Sequence, residues 1–190
     1  VRTGALPLWT TLPSLGHAPN AILGDGYQEQ CEAMIEGGVD AVLVEASQDL
    51  LQTKAGVVGA RRAMRATGRD VALIAQVTVE LTGTMLLGSE IGAALVALEP
   101  LGIDVIGLNC ATGPAEMTEH LRFLSQRARV ALSVMPNAGL PVLGRNGAEY
   151  PLQPAERAEA LSRFVDDYGV GLIGGCCGTT PEHLRAVVDR

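Results

Sequence analysis

Three of the four cysteines in this 190-residue chain lie in two short segments that suit a single reactive site. Cys176 and Cys177 are adjacent, follow the apolar run 170–173 and lie among the glycines of residues 174–178. Cys110 follows a similar run, residues 104–109. Neighbouring side chains point to opposite faces of a regular strand, but a turn with glycine on both sides of the pair lets both thiols converge. We therefore expect the three thiols to meet at the ends of two strands.

Converging thiols are typical of a metal site, and thiolates are ligands that zinc prefers. Three protein ligands at about 2.3 Å leave one position of a tetrahedral zinc site open for a substrate. A thiol that enters this position has a lowered pKa and reacts as a thiolate at neutral pH. Cys110, Cys176 and Cys177 therefore predict a zinc centre that activates a substrate thiol for alkyl transfer.

Two other interpretations of the cysteines stay open at this point. Single cysteines are often small buried apolar residues with no chemical role. A redox pair is the other alternative, but adjacent cysteines form a strained ring when oxidised, and the sequence has no C-x-x-C motif. The fourth cysteine, Cys31, lies within a predicted helix and is expected to be partly buried and outside the site. His17, His120 and His183 are expected to be structural or exposed rather than ligands.

Composition excludes several classes of partner. The net charge is −7, aromatic residues make up only 3%, and 47% of the residues are hydrophobic. An acidic chain with scattered arginines argues against binding to nucleic acid or to an anionic membrane. No apolar run reaches the roughly 18 residues that span a bilayer, and no signal peptide precedes residue 20. We expect a cytoplasmic protein, whose thiols stay reduced and available as ligands.

A strand followed by a helix recurs about five times along the chain, and these units must position the thiols. The predicted strands are nearly continuous in apolar residues, which is typical of a parallel sheet buried on both faces. They cover residues 40–45, 70–79, 103–109, 130–135 and 170–174. Helices are predicted over 26–36, 49–66 and 91–98, with three more beginning near 114, 154 and 181, and a long loop over 136–153. Residues 1–20 have no clear period, so we predict one α/β domain over 21–190. This pattern fits either a doubly wound sheet or a (β/α)₈ barrel.

Several segments together resemble the homocysteine S-methyltransferase family, in particular the homocysteine-binding module of cobalamin-dependent methionine synthases. The two cysteine segments, GLNC at 107–110 and GGCCGTTP at 174–181, are similar to the zinc signatures of that family. Residues 82–90 (TGTMLLGSE), 110–114 (CATGP) and 135–141 (MPNAGLP) resemble its intervening motifs. The resemblance implies a (β/α)₈ TIM barrel, present here as an incomplete barrel with about its last five units. It also implies that the chain is part of a larger enzyme.

The resemblance further implies roles for individual residues. Cys110, Cys176 and Cys177 would hold zinc, with the sulfur of homocysteine in the open position. Glu45 matches an acidic residue that contacts the amino group of the substrate, and Asn109 is expected to support the turn beside it. The remaining implied substrate contacts are Asn137, Ala138 and Gly139, near the amino-acid end of homocysteine.

The methyl donor implied by the resemblance is methylcobalamin, carried on a separate domain that this chain does not contain. The expected partners are homocysteine and the cobalamin-binding and folate-binding domains of the full enzyme, and methionine is the product. Two alternatives remain. The donor is instead S-methylmethionine, S-adenosylmethionine or betaine, or the chain is a truncated fragment that binds zinc without turnover.

Overall fold

The computed structural model describes residues 2–6, 12–145 and 147–190. A parallel sheet of six strands forms its centre. Its strands are β1 (Thr3–Leu6), β2 (Ala41–Ser47), β3 (Ala72–Val77), β4 (Val105–Asn109), β5 (Ala131–Met135) and β8 (Val170–Ile173). They lie side by side in chain order, β1-β2-β3-β4-β5-β8. A doubly wound sheet reverses its strand order at a switch point, whereas successive order is that of a (β/α)₈ barrel. The predicted incomplete barrel is therefore confirmed.

The sheet has one strand more than the five that the sequence predicts. β1 lies in a stretch without periodicity, and only Leu6 of its four residues is buried. It is recognisable through its parallel pairing with β2, in which Thr3 lies opposite Ala41 and Leu6 opposite Val44. Trp9 and its neighbours in 7–11 lie outside the described residues.

Six helices accompany the strands in the described part of the chain. They are α1 (Asn20–Glu36), α2 (Leu50–Thr67), α3 (Ile91–Leu98), α4 (Pro114–Arg127), α5 (Pro154–Tyr168) and α6 (Pro181–Val188). The prediction that the first helix begins near residue 26 is wrong, because α1 begins directly after Pro19. Leu23, Tyr27, Cys31 and Ile35 recur every four residues and are buried, so packing outweighs the helix-weakening glycines at the start of α1.

The two faces of the sheet differ in what covers them. The larger cluster of buried apolar residues joins the sheet to the helices and includes Val42, Leu73, Ile106 and Val134. A small cluster of Ala41, Leu43 and Ile74 lies on the other face, with Val105, Met135 and Leu172 packed against it. Side chains alternate between faces along a strand, so the later residues Glu45 and Asn109 point to the same side as this small cluster.

The long loop after β5 contains a short antiparallel hairpin, β6 (Val142–Gly144) with β7 (Gly147–Glu149). Its glycines and prolines predict only a loop. The hairpin brings residues 150–153 back towards the carboxyl end of the sheet, where Leu152 donates its N–H to the carbonyl of Ala138 at 3.0 Å. No helix of the described residues is long and apolar enough to cross a membrane.

Candidate metal centre

Three thiols meet at the carboxyl end of the sheet. The Sγ atoms of Cys110 and Cys177 are 3.8 Å apart, those of Cys176 and Cys177 are 4.0 Å apart, and all three lie within 4.8 Å of one another. Tetrahedral zinc with bonds of about 2.3 Å sets its sulfur ligands about 3.8 Å apart. Cys110 and Cys176 are half-buried and Cys177 is exposed, which leaves one side accessible. The predicted convergence of these thiols is therefore present, and its dimensions fit a zinc ion.

The backbone after β4 turns sharply to present Cys110. Cys110 and Ala111 have φ values of 60° and 57°, in the left-handed region that non-glycine residues rarely adopt. Two backbone hydrogen bonds hold this turn: Cys110 N–H donates to Met135 O at 3.2 Å, and Thr112 N–H donates to Cys110 O at 2.7 Å. Strained backbone of this kind persists only where surrounding structure holds it, and it is common at functional sites.

Cys176 and Cys177 lie in the turn between β8 and α6. Gly178 has φ 76°, and a β-carbon at this position would collide with the ring of Tyr150. The turn is closed by a hydrogen bond from Thr179 N–H to Cys176 O at 3.1 Å. Cys176 and Cys177 thus share one side because the chain reverses around them, as the neighbouring glycines predict.

Residues 135–138, which follow β5, join the two cysteine turns. Besides the bond from Cys110 to Met135 O, Cys176 N–H donates to Pro136 O at 3.0 Å. Cys177 is held twice: its N–H donates to Oδ1 of the buried Asn137 at 3.1 Å, and its carbonyl accepts from Ala138 N–H at 2.9 Å. The segment therefore fixes the backbone of all three cysteines.

These bonds also bear on the substrate contacts expected at Asn137, Ala138 and Gly139. The N–H of Asn137 donates to Thr112 O at 3.1 Å and that of Ala138 to Cys177 O, so both amides already have acceptors within the protein. Gly139 has φ 91° and packs close to Leu152. The arrangement gives Asn137 and Ala138 a place in the frame of the site, and their contact with a substrate stays a prediction.

Glu45 and Asn109 lie together beside the thiols. The register of β2 shifts between Val44 and Ser47, and Ala46 in this irregularity has φ 52°. The buried Asn109 side chain holds the bend, because its Oδ1 accepts from Ala46 N–H at 3.0 Å, while its Nδ2 donates to Glu45 Oε2 at 3.4 Å. Burial raises the pKa of Glu45. The Asn109 side chain thus holds Glu45 and the bend of β2, and its support of the turn at Cys110 stays a prediction.

The thiols influence one another electrostatically. The Cys176 thiol, which donates towards the sulfur of Cys110, lowers the pKa of Cys110 from 9.0 to about 6. The same interaction raises the pKa of Cys176, and burial adds to this rise. One thiolate therefore forms near neutral pH, whereas the next is opposed by its charge. A bound cation would remove that opposition, so the cluster favours a metal over three free thiols.

Comparison with known proteins assigns the chain to a family. A sequence model of the family described as homocysteine S-methyltransferase matches residues 3–190. The chain belongs to the homocysteine S-methyltransferase family. Two curated relatives are the methionine synthases of Mycobacterium leprae (strain TN) and Mycobacterium tuberculosis (strain ATCC 25618 / H37Rv), each 64% identical over 184 residues. The alignment covers 97% of this chain and 15% of either relative, so the chain spans a small part of their length.

Solved structures support the barrel fold of this homocysteine S-methyltransferase family member. The apo form of the homocysteine methyltransferase MmuM from Escherichia coli superimposes with a TM-score of 0.75 at 20% identity, over 98% of this chain and 62% of that one. Its metallated form gives a TM-score of 0.67 at 22% identity, over 88% and 52% of the two chains. At this level of identity the likeness concerns the fold alone.

Cys31 and His183, which were predicted not to be ligands, lie in the core or have structural partners. Cys31 is fully buried in α1 rather than partly buried, and it belongs to the large apolar cluster of the core. His183 is buried, and its Nδ1 accepts from Thr180 N–H at 3.2 Å while its Nε2 lies 2.8 Å from Leu152 O. It fixes the start of α6, which agrees with the structural role expected of it.

Two residues beside the thiols were not predicted from the sequence. Tyr150 follows the hairpin and packs against Gly178, and Arg157 lies in the first turn of α5 and donates through Nη2 to Gly174 O. Neither belongs to a motif that points to metal chemistry. The nearest signal was Tyr150 itself. An aromatic side chain in a loop rich in glycine and proline is typical of a residue that packs against a neighbouring segment.

Proposed function

We propose that this chain is the homocysteine-activating module of a zinc-dependent methyltransferase, and that it transfers a methyl group to homocysteine to give methionine. The proposal depends above all on one observation, the meeting of Cys110, Cys176 and Cys177 at distances that suit tetrahedral zinc. Membership of the homocysteine S-methyltransferase family supports the choice of substrate.

The three cysteines are the ligands in this proposal. Zinc held by Cys110, Cys176 and Cys177 would lower the pKa of an incoming homocysteine thiol, so that no general base would be required. The protein supplies the frame. Residues 135–138 hold both cysteine turns, and the exposed side of Cys177 gives the substrate access.

We assign Glu45 to the amino group of homocysteine. Its carboxylate is partly buried on the same side of the sheet as Asn109, whose Nδ2 donates to it and fixes its orientation. An ammonium group would pair with this carboxylate and offset the unfavourable burial that raises the pKa of Glu45. Asn109 acts through Glu45 and the bend at Ala46, and residues 137–139 border the amino-acid end of the substrate.

We further propose that the methyl group comes from methylcobalamin on another domain of a methionine synthase. The support is that the curated relatives are methionine synthases of which this chain spans only 15%. Methylcobalamin would supply the methyl group and keep the electron pair of its methyl–cobalt bond, while this chain would hold the accepting homocysteine sulfur at Cys110, Cys176 and Cys177 through zinc. Cobalamin-binding and folate-binding domains are then the partners of this module. Reduced thiols also favour a cytoplasmic setting.

The test measures metal content and methyl transfer in the same preparations. The purified chain is loaded with zinc, analysed by atomic emission, and incubated with homocysteine and methylcobalamin, with methionine as the readout. We expect one zinc per chain and methionine formation. C110A and C176A should lose both, and the matched control C31A, which removes a cysteine remote from the centre, should keep both.

Each other outcome has a defined meaning. One zinc per chain without methionine, also when S-methylmethionine, S-adenosylmethionine or betaine is offered, would favour a zinc-binding module without turnover. Turnover with one of these donors alone would assign a different methyl source. Full zinc content in C110A would refute the assignment of the ligands.

A further inference from the structure

Arg157 is a charged side chain buried directly behind the turn that carries the thiol pair. The residue is fully buried in the first turn of α5, and its Nη2 donates to Gly174 O, two residues before Cys176. Nε and Nη1 are also buried and have no hydrogen-bond partner among the described residues. None of the ion pairs among the described residues includes Arg157.

The guanidinium packs against the backbone of the turn itself. A β-carbon placed on Gly175 would lie 2.7 Å from Nη2 of Arg157 and nearer still to Oγ1 of Thr179. Thr179 Oγ1 is likewise buried without a partner among the residues described. Gly175 therefore runs through a narrow space between Arg157 and Thr179, immediately before the two cysteines.

A buried cation with one neutral partner is unfavourable, and an apolar side chain of similar size would pack at less cost. The missing negative charge is available nearby in one state of the protein. Three thiolates around a single dication carry a net negative charge, and a bound substrate thiolate adds another. The fixed positive charge of Arg157 suits this state, whose negative charge exceeds that of the single thiolate in the metal-free centre once the substrate thiolate has bound.

We propose that Arg157 is a positioning residue for the metal centre. Its guanidinium fixes the backbone that presents Cys176 and Cys177, and its charge offsets the net negative charge of the centre when metal and substrate thiolate are both bound. This inference rests on the proposed zinc site. It adds a residue from α5 to a centre whose ligands come from the turns after β4 and β8.

Two substitutions separate the contributions of shape and charge. R157K keeps the charge but loses the planar fork of donors, and R157Q keeps a donor but loses the charge. R163Q is the matched control, since Arg163 lies on the exposed side of the same helix. Zinc affinity is measured by competition with a chromophoric chelator, and the cobalt-substituted chain reports ligand geometry through its visible absorption bands.

We expect R157K and R157Q to bind zinc about 10–100-fold more weakly, the usual effect of losing a residue that orients metal ligands. Their cobalt bands should shift, whereas R163Q should match the wild type in both measurements. Zinc should also raise the melting temperature less in the two variants than in the wild type. A purely structural Arg157 would instead lower the melting temperature equally with and without zinc.

The proposal is overturned if both variants fold and bind zinc within about twofold of the wild type with unchanged cobalt bands. Failure of both variants to fold also counts against it, because that result assigns Arg157 to the fold. If only one variant folds, its zinc affinity decides. A wild-type chain that binds no zinc would refute the metal centre itself, which keeps the two failures apart.

Discussion

Replacing Gly107 with alanine should disrupt the sheet directly below the three clustered thiols. Gly107 lies in the middle of β4 and pairs with Ser133 on β5. A β-carbon here would lie 2.7 Å from the carbonyl carbon of Ser133 and nearer still to its carbonyl oxygen and Oγ. The hydroxyl can rotate away, but the carbonyl is fixed in the backbone of β5, so the two strands must separate locally.

The size of the effect follows from these contacts. Overpacking costs about 1–3 kcal/mol, and disturbing the buried hydrogen bond from Gln76 Nε2 to Ser133 Oγ costs a further ~1–3 kcal/mol. Alanine lowers the entropy of the unfolded chain and returns only about 0.4–1 kcal/mol. The expected net loss of about 1–5 kcal/mol corresponds to a melting temperature lower by about 2–20 °C for a chain of this length.

Thermal unfolding followed by circular dichroism measures this loss, and G171A is the control. Gly171 lies in β8, where a β-carbon would have no other atom within 4 Å, and it does not adopt a positive φ. G171A should therefore leave the melting temperature unchanged or raise it slightly. The double variant G107A/S133A removes the hydroxyl but not the carbonyl, and should recover only part of the loss. A melting temperature of G107A within about 2 °C of the wild type would show that β4 and β5 are not packed as described.

Two further predictions concern the side chain of Glu45 and the accessibility of the cysteine thiols. E45Q removes the charge but keeps the shape of Glu45, so homocysteine should bind about 10–100-fold more weakly while zinc content stays unchanged; equal homocysteine affinity in isothermal titration would contradict the assignment. In the folded, metal-free chain, Ellman's reagent should modify Cys110 and the exposed Cys177 before Cys176, whose pKa is raised. It should reach Cys31 only after unfolding, because burial, aided by the charge of Glu32, raises the pKa of Cys31 to about 12. Zinc should protect the three site thiols, and rapid modification of four thiols in the folded chain would refute the burial of Cys31.

Much of the fold was predictable because long apolar runs and helix-end signals are local. α3 covers Ile91–Leu98, the same residues that the sequence predicts. β1 was not predictable, since only Leu6 of its four residues is buried and its evidence is the pairing with β2. The early start of α1 was missed for a related reason, because contacts with α2 outweigh the local preference of glycine.

The thiol cluster was predictable because glycine on both sides of Cys176 and Cys177 indicates a turn in which both thiols converge. Its frame was not. Residues 135–138 hold the cysteines mainly through backbone hydrogen bonds, which leave no signature in side-chain types. Arg157 was missed because a charged residue in the first turns of a helix usually faces solvent, and its burial depends on the turn that packs over it.

The strained positions beside the thiols are held by hydrogen bonds within the protein. In the described residues, positive φ outside glycine occurs at Ala46, Cys110 and Ala111, each at a strand end beside the site. Such positions cost of order 1–3 kcal/mol each and need compensation from their surroundings. Here the compensation comes from the protein, through Asn109 Oδ1 for Ala46 and the carbonyl of Met135 for Cys110. The apolar core beneath them includes none of the three thiols. Zinc fingers use metal-binding energy to fold, whereas the proposed zinc ligands of this chain are also held by hydrogen bonds of the surrounding backbone.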